Sequence, residues 1–212
     1  MAKPGKKQKM AAIIAILKKE YPEAGIRLSY NNEFELLVAT ILSAQCTDER
    51  VNMVTEKLFK KYRSVHDFAA AHQEILEQDI FSTGFYKAKA KNIIGAARCV
   101  LGKFRGSLPQ TMEELLTIPG VGRKTANVVL GHAFGIPGIV VDTHVTRLAN
   151  LLGLTATDNA EKIESELMKI TPKDEWSMLA HYLISHGRAV CIARRPMCGS
   201  CCLRELCPSA KE

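Results

Sequence analysis

The fold of this chain is decided by one stretch, Leu115-Leu116-Thr117-Ile118-Pro119-Gly120-Val121-Gly122-Arg123-Lys124-Thr125-Ala126-Asn127-Val128-Val129-Leu130. A short amphipathic helix is expected to end before Pro119, because proline disfavours the helical conformation for the residue that precedes it. Gly120 and Gly122 permit a tight turn and the close approach of another backbone. A second helix is expected to begin at about Arg123. The stretch therefore predicts a helix-hairpin-helix over about residues 113–130.

The start of this second helix is a candidate DNA-binding site. Its first amides have no acceptor within the helix, and the positive end of the helix dipole points the same way. Such amides bind phosphate oxygens irrespective of base sequence. The alternative is an ordinary turn in a helical bundle, and the basic Arg123-Lys124 pair favours DNA. The predicted backbone contacts are Gly120, Val121, Gly122, Arg123 and Thr125.

Apolar residues recur at helical spacing along the rest of the chain. The helices predicted from this spacing are Met10–Leu17, Phe34–Leu42, Val51–Phe59, Ala88–Leu101, Met112–Leu116, Thr125–Phe134, Thr143–Leu152, Ala160–Ile170 and Trp176–Ile184. Short connections with Gly, Pro or Asn separate them. One β-like run, Ile139–Val141, has only three residues. The sequence therefore predicts an all-α protein.

Lys124 and Asp142 are candidate catalytic residues with competing structural interpretations. Lys124 is either a phosphate-facing cation or a nucleophile, which needs an unprotonated amine. A position in the first helical turn beside Arg123, with partial burial, would favour the nucleophile. Asp142 is well placed as the N-cap of the next helix. It is equally suited to stabilise positive charge or to move a proton in a cleft, and both roles are compatible.

Five of the seven cysteines lie in the last 22 residues, and four follow the spacing Cys191-x6-Cys198-x2-Cys201-x5-Cys207. Thiols this dense indicate a disulfide framework or a metal site. Nothing else in the chain resembles a secreted protein, so a four-thiolate site for zinc or an iron–sulfur cluster is predicted. Cys202 adjoins Cys201, and the chemistry of the residues alone does not choose between them.

Charge and composition limit the classes of partner. A hydrophobic content of 47% with 24% charged residues is typical of an ordinary soluble protein. No run of 18 apolar residues and no cleavable leader are found, which predicts an intracellular, reducing location without membrane contact. The net charge is +7, with six lysines among the first 19 residues and four arginines between Arg188 and Arg204. A nucleic acid is the expected partner, although Lys3 to Lys9 could be a solvated tail.

Several motifs in this order resemble the endonuclease III family of DNA glycosylase/AP lyases. They are the hairpin stretch, Val141-Asp142-Thr143-His144, His186-Gly187-Arg188 and the cysteine array. Upstream, Leu42 to Asp48 and Gly84 to Ala90 extend the resemblance over nearly the whole chain. It implies a helix-hairpin-helix DNA glycosylase fold with a six-helix barrel domain over 26–136. A helical iron–sulfur cluster domain would comprise 1–25 and 137–212, with a cleft between the two domains.

The same resemblance implies the chemistry. A [4Fe–4S] cluster would be held by Cys191, Cys198, Cys201 and Cys207. Lys124 would be the catalytic amine and Asp142 its acidic partner. The enzyme would remove oxidised pyrimidines in base excision repair and cleave the strand by β-elimination through a lysine Schiff base. Its partner would be double-stranded DNA with damaged pyrimidines or abasic sites, bound by a monomer in the cytoplasm and at the nucleoid.

Further DNA contacts follow from the resemblance. Gln45 would contact the base opposite the lesion and Phe85 would wedge the duplex, where the family often carries leucine; a phenylalanine can also intercalate. The alternatives are a helix-end hydrogen bond for Gln45 and a loop anchor for Phe85. Arg194 and Arg195, in the insert between the first two cysteine ligands, would contact phosphates. His144 would face DNA.

Two other functions remain open at the level of sequence. A superfamily relative removes mispaired adenine with water and without a lysine nucleophile, but Lys124 and the end of the chain at Glu212 argue against it. A non-enzymatic DNA-binding protein with a structural zinc is the second alternative. It would be colourless, whereas an iron–sulfur protein is yellow-brown.

Overall fold

The computed structural model describes residues 5–211, and these contain eleven α-helices joined by turns and loops. The helices are α1 Lys6–Glu20, α2 Glu33–Leu42, α3 Asp48–Lys61, α4 Val65–Ala70, α5 Gln73–Asp79, α6 Tyr86–Phe104, α7 Met112–Leu115, α8 Arg123–Phe134, α9 Thr143–Leu151, α10 Ala160–Ile170 and α11 Trp176–Ala189. Short 3-10 turns occupy Phe81–Thr83, Lys173–Glu175, Cys198–Ser200 and Arg204–Leu206. The described residues contain no β-strand, so the predicted all-α fold is confirmed.

The nine predicted helices are all found, and two short ones were not predicted. Helices α4 and α5 have six and seven residues, and each buries a single apolar side chain, Phe68 in α4 and Leu76 in α5. With one buried apolar side chain each, neither helix carries the repeated apolar stripe that marks the longer helices. A capping box at Ser64 was the available signal, since Ser64 and Asp67 exchange side-chain and backbone hydrogen bonds.

The chain divides into two compact units. The first, Arg27–Ile136, is here called the hairpin unit. Its central element is α2, in which every residue from Phe34 to Leu42 is buried. Helix α2 packs against α3, α6 and α8, and α6 packs against α4 and α5. Helices α3, α6 and α8 therefore pack around one apolar helix, α2. Helix α8 follows the turn after α7, and α6 lies beside that turn.

The second unit, here called the cysteine unit, comprises the described residues up to Ile26 together with those from Pro137 onward. Helix α1 contacts α10 and α11, and α9 contacts the same two helices. Met10, Ile13 and Leu17 recur at helical spacing on α1 and are fully buried. Burial of this stripe fixes the N-terminal helix to the C-terminal part of the chain.

Two lysines of the basic N-terminal segment have a structural role. Lys6 Nζ donates to the Leu154 carbonyl at 2.9 Å, and Lys9 Nζ donates to the Leu152 carbonyl at 2.6 Å. Cations at the C-terminal end of a helix satisfy open carbonyls and complement the helix dipole. Lys6 and Lys9 are therefore part of α1 and its contacts, and the prediction of a solvated tail is wrong for these two residues. Lys3 lies outside the described residues.

None of the helices within residues 5–211 combines the length and the apolar character that a membrane span requires.

Candidate functional site

The turn between α7 and α8 is closed by the Val121 amide, which donates to the Ile118 carbonyl at 3.1 Å. Pro119 occupies the second position of this turn and Gly120 the third, with φ of +78°. A proline followed by a residue of positive φ is the arrangement of a type II turn, which glycine adopts without strain. Helix α8 begins at Arg123, as predicted.

This turn is fitted closely onto α6. A Cβ atom on Gly120 would lie 2.7 Å from Cβ of Asn92, one turn along α6 from Gly95. A Cβ atom on Gly95 would in turn lie 3.2 Å from Cβ of Pro119. Gly120 is therefore required both by its backbone conformation and by the approach of α6.

Gly122 differs from Gly120, because nothing in its own surroundings requires glycine. It is the N-cap of α8 with an ordinary φ of −96°, and a Cβ atom there would meet nothing within 4 Å. No side chain caps the first turn of α8. The first amides of the helix, beside Arg123 and Thr125, therefore have no side-chain cap. The arrangement suits an external acceptor such as a phosphate oxygen.

Lys124 is the second residue of α8, and its side chain is exposed. The partial burial that would favour a nucleophile is not found. The exposed amine can reach a ligand that approaches the hairpin turn, and it lies one residue from the half-buried Arg123.

Asp142 is the N-cap of α9, as its structural interpretation predicts. Its Oδ1 accepts a hydrogen bond from the Val145 amide at 2.9 Å, and its side chain is half-buried. His144, two residues further, lies against α11, where a Cβ atom on Gly187 would stand 2.9 Å from His144 Nδ1. His144 Nδ1 is also 3.4 Å from Arg147 Nη2. Part of the His144 ring is therefore engaged within the cysteine unit.

Gln45 and Phe85 share an unusual backbone conformation. Their φ angles are +53° and +49°, in the left-handed region that side chains other than glycine rarely adopt. Phe85 is 65% exposed, which argues against an anchor for its loop. Gln45 is exposed as well, and its side chain makes no hydrogen bond to the described residues. Strained, exposed residues of this kind concentrate at ligand-binding sites.

Four cysteines of the C-terminal array line one cavity of about 220 Å³. They are Cys191, Cys198, Cys201 and Cys207. Cys202 is exposed and does not line it. Burial raises the pKa of the Cys191 and Cys201 thiols. Within residues 5–211, no three His, Cys, Asp or Glu side chains are grouped closely enough to hold a single metal ion.

Arg147 and His186 also line this cavity, a role that the sequence did not predict for either of them. Arg147 Nη2 donates to the Cys191 carbonyl at 2.7 Å, while its Nε is buried without a hydrogen-bond partner. His186 Nε2 lies 3.4 Å from Cys201 Sγ, and its Nδ1 lies 3.0 Å from the Tyr21 hydroxyl oxygen. His186 belongs to the motif His186-Gly187-Arg188. No comparable signal marks Arg147 or Tyr21.

The chain between the first two cysteines forms a short exposed loop. The Met197 amide donates to the Val190 carbonyl at 3.0 Å, which closes the loop at its base. Arg194 and Arg195 are exposed at its outer end. The loop therefore presents two positive charges next to the cavity that the four thiols line.

Known proteins share both the sequence and the fold. Residues 38–173 match the family described as the HhH-GPD superfamily of base excision DNA repair proteins. Endonuclease III of Synechocystis sp. is 55% identical over 97% of this chain and 94% of the relative. Endonuclease III of Bacillus subtilis is 47% identical over 91% of this chain and 88% of the relative.

A solved structure gives the same result. It is described as a trapped endonuclease III–DNA covalent intermediate, an estranged-adenine complex. It is 46% identical, covers 99% of this chain and 98% of its own, and superposes with a TM-score of 0.92. The chain therefore belongs to the endonuclease III family, within the HhH-GPD superfamily of base excision DNA repair proteins.

Proposed function

We propose that this protein, a bifunctional DNA glycosylase and AP lyase by its family, removes oxidised pyrimidines with Lys124 as the nucleophile. The observation that supports this most directly is the position of Lys124. Its amine is exposed in the first turn of α8, next to amides that no side chain caps. A strand whose phosphate binds these amides would present its sugar within reach of the amine.

The reaction follows from the chemistry of an amine and a sugar. The Lys124 amine attacks C1′, the bond from C1′ to the damaged base breaks, and the base leaves with the bonding electrons and takes up a proton. Ring opening gives an imine between Lys124 and C1′. The imine acidifies the hydrogen on C2′, and its removal expels the 3′ phosphate by β-elimination. Hydrolysis of the imine then regenerates the amine.

Asp142 is proposed to stabilise the positive charge that develops on the sugar and to assist proton transfer. Only Oδ1 accepts the capping hydrogen bond from Val145, so the second carboxylate oxygen takes no part in the cap. The cap also fixes the orientation of the carboxylate. One side chain can therefore serve the start of α9 and the reaction.

The duplex must open before a base can leave its stack, which costs a few kcal/mol, and less at a damaged base. Phe85 is proposed to wedge the stack and Gln45 to contact the unpaired base opposite the lesion. Their exposure and their strained backbones support this assignment. Gly120, Val121, Gly122, Arg123 and Thr125 are proposed to bind the phosphate backbone at the hairpin. His144 is proposed to contact DNA with the part of its ring that does not face Gly187.

The cysteine cavity is proposed to hold a [4Fe–4S] cluster, and its residues fit such a group. A cluster binds each thiolate to a different iron, so its ligands surround a volume rather than one ion. The four thiols line a cavity of about 220 Å³ without grouping around a single point. The unpartnered Arg147 Nε provides a donor for a sulfur atom.

When bound, the cluster would supply covalent cross-links between the four cysteines and no bond-breaking chemistry. Cys191 and Cys198 bracket the loop that carries Arg194 and Arg195. Holding these two cysteines fixes that loop, whose arginines are proposed to bind phosphates. Such contacts are electrostatic and weaken steeply with salt.

Borohydride trapping tests the proposed reaction. The protein is mixed with a duplex that contains an oxidised pyrimidine and is then reduced, which converts an imine into a stable amine. A covalent protein–DNA adduct is expected for the wild type and for Lys91→Ala, which removes an exposed lysine of α6. Lys124→Ala should give none. An adduct that survives Lys124→Ala would show that another amine is the nucleophile.

A second variant separates the two roles of Asp142. Asparagine is also a good N-cap, so Asp142→Asn should keep α9 intact while it removes the negative charge. Base excision is expected to fall by about a hundredfold or more, in the range of general acid–base effects. Equal excision rates for Asp142→Asn and the wild type would show that Asp142 caps α9 and has no part in the reaction.

Two measurements separate the alternatives. Release of adenine from a mispaired duplex, with no trapped adduct, would indicate the adenine-specific relative. A colourless preparation that contains zinc in place of iron would indicate a DNA-binding protein with a structural zinc.

A further inference from the structure

Lys89 is buried inside the hairpin unit, with only 4% of its surface exposed. Lysine is almost never fully buried unless a partner compensates its charge. The Lys89 ammonium donates to two main-chain carbonyls, that of Leu42 at 2.8 Å and that of Thr83 at 2.7 Å. Neither partner is a carboxylate, so the buried charge is held by main-chain dipoles.

The two carbonyls belong to two different segments. Leu42 is the last residue of α2, and Thr83 is the last residue of the 3-10 turn Phe81–Thr83. Carbonyls at helix ends have no acceptor role within the helix, and the negative end of the α2 dipole favours a cation. Lys89 therefore joins the ends of two segments that are 41 residues apart in the chain.

Each of these segments leads directly into a strained residue. Gln45 follows Leu42 by three residues, and Phe85 follows Thr83 by two. Gln45, Phe85 and Arg105 are the non-glycine residues with positive φ in the part of the chain that the structure describes. Two of the three thus lie immediately beyond the carbonyls that one ammonium holds.

The lysine is a costly way to hold these segments together. Burial lowers the pKa of Lys89, because the charged form loses its hydration. An apolar side chain of similar length would fill the same space without that loss. A charged group kept at such a position specifies geometry rather than stability in some well-studied proteins.

We propose that Lys89 is a positioning residue for DNA opening, which couples the Gln45 segment to the Phe85 segment. Both side chains then enter the duplex together when the damaged base leaves it. The proposal rests on the function proposed above and adds a residue that touches neither DNA nor the reacting atoms. Lys89 should matter only where a duplex has to be opened.

The test compares two substrates of the lyase reaction. One is an abasic site in a duplex, and the other is the same abasic strand without its complement, where no stack is filled and no opposite base is contacted. Lys89→Met should lower the single-turnover rate on the duplex by about tenfold, a typical effect of misplaced groups. The rate on the single strand should change less than about twofold. Lys91→Met, on the exposed side of α6, is the matched control and should leave the ratio of the two rates unchanged.

A second readout follows DNA opening directly. A fluorescent base analogue next to the lesion brightens when its neighbour leaves the stack. Lys89→Met should reduce this rise, and Lys89→Arg, which can still donate to both carbonyls, should restore part of it. Phe85→Ala combined with Lys89→Met should be no slower on the duplex than Phe85→Ala alone, because both changes disable the same step.

Several outcomes would overturn the coupling. One is an equal loss of rate on the duplex and on the single strand by Lys89→Met, in a protein whose unfolding temperature matches that of the wild type and which is therefore correctly folded. A second is strict additivity with Phe85→Ala. If Lys89→Met fails to fold, the test uses Lys89→Arg and Lys89→Gln instead. The coupling would be refuted if a correctly folded Lys89→Gln variant kept both the wild-type ratio of the two rates and the wild-type rise in fluorescence. A wild-type protein that forms no borohydride adduct would contradict the proposed function instead.

Discussion

The hairpin turn is held by packing that is already complete, whereas the segment Cys191–Cys207 has little packing of its own. In the hairpin, Ile118 and Val121 are buried at 2% and 8% exposure, and Gly120 fits against α6. Across residues 191–207, all of which the structure describes, Leu203 is the one buried side chain. Ile192 and Met197 are 41% and 45% exposed.

The difference separates two ways to build a binding surface. The turn of the hairpin is packed by residues of the hairpin unit, so no bound group is needed to hold it. The cysteine segment has two 3-10 turns and no longer helix, and its four half-buried thiols line a cavity. The [4Fe–4S] cluster proposed for this cavity would supply the order that packing does not supply. Substitutions should therefore reduce function in the first region and cofactor content in the second.

Lys124→Ala should show the largest effect and should separate function from stability. The exposed side chain contributes nothing to the packing of the hairpin. Single-turnover base excision should fall by about a thousandfold or more, as for loss of other nucleophiles. The free energy of unfolding should stay within about 0.5 kcal/mol of the wild type, as for other exposed positions. A marked loss of stability would mean that Lys124 supports the turn and would blur the difference between the regions.

Cys201→Ser and Cys202→Ser test the second region with adjacent residues. Cys201 lines the cavity and Cys202 does not, so only the first change should remove a ligand. We expect Cys201→Ser to be purified with little iron and little visible absorption, and to melt at a lower temperature. Cys202→Ser should keep the iron content of the wild type, about four per chain for a [4Fe–4S] cluster. The opposite pattern would assign the ligand to Cys202.

The sequence predicted the long elements and the chemistry-bearing motifs because both have local signals. A stripe of apolar residues at helical spacing marks α1, α6 and α10, and proline followed by glycines marks the hairpin turn. The N-cap role of Asp142 was likewise readable, since the carboxylate acts on an amide three residues away. These features depend on neighbours in the chain.

The features that were not predicted depend on neighbours in space. Lys89 lies on a helix where lysine is normally solvated, and only the approach of Leu42 and Thr83 gives it partners. The positive φ angles of Gln45 and Phe85 could not be predicted, because a positive φ is normally indicated by a glycine and these positions have none. The sequence left Lys6 as either a nucleic-acid contact or part of a solvated tail, because its acceptor at Leu154 is 148 residues away.

Gly120→Ala and Gly122→Ala test whether the hairpin turn is held by close packing at Gly120 and leaves open space at Gly122. The first change forces a side chain into a positive φ and against Asn92, so it should destabilise the hairpin unit by about 2 kcal/mol. The second meets open space and should cost about 0.5 kcal/mol as a poorer N-cap. Thermal unfolding measures both changes in stability. DNA affinity should fall for Gly122→Ala, because its methyl group would lie beside the α8 amides that are proposed to bind a phosphate. Equal destabilisation by the two changes would contradict the structural difference between these glycines.

Tyr21→Phe should have the smallest effect on catalysis and should act on the cysteine segment through His186. Burial lowers the pKa of His186 and raises the pKa of Tyr21 to about 12, so both side chains are neutral at pH 7. If Cys201 is a thiolate ligand, Nε2–H of His186 faces its sulfur, and Nδ1 is then left to accept from the Tyr21 hydroxyl. Phenylalanine keeps the ring but loses this donor, a change of about 1 kcal/mol.

The consequence should be seen in the cofactor before it is seen in catalysis. Residues that orient a ligand tune metal retention, so the visible absorption of Tyr21→Phe should decay faster than that of the wild type under a mild oxidant. Borohydride trapping on fresh protein should be unchanged, because the hairpin does not depend on the cysteine segment for its own packing. A loss of trapping at full iron content would mean that the two regions are coupled, and that the cysteine segment does more than hold its loop.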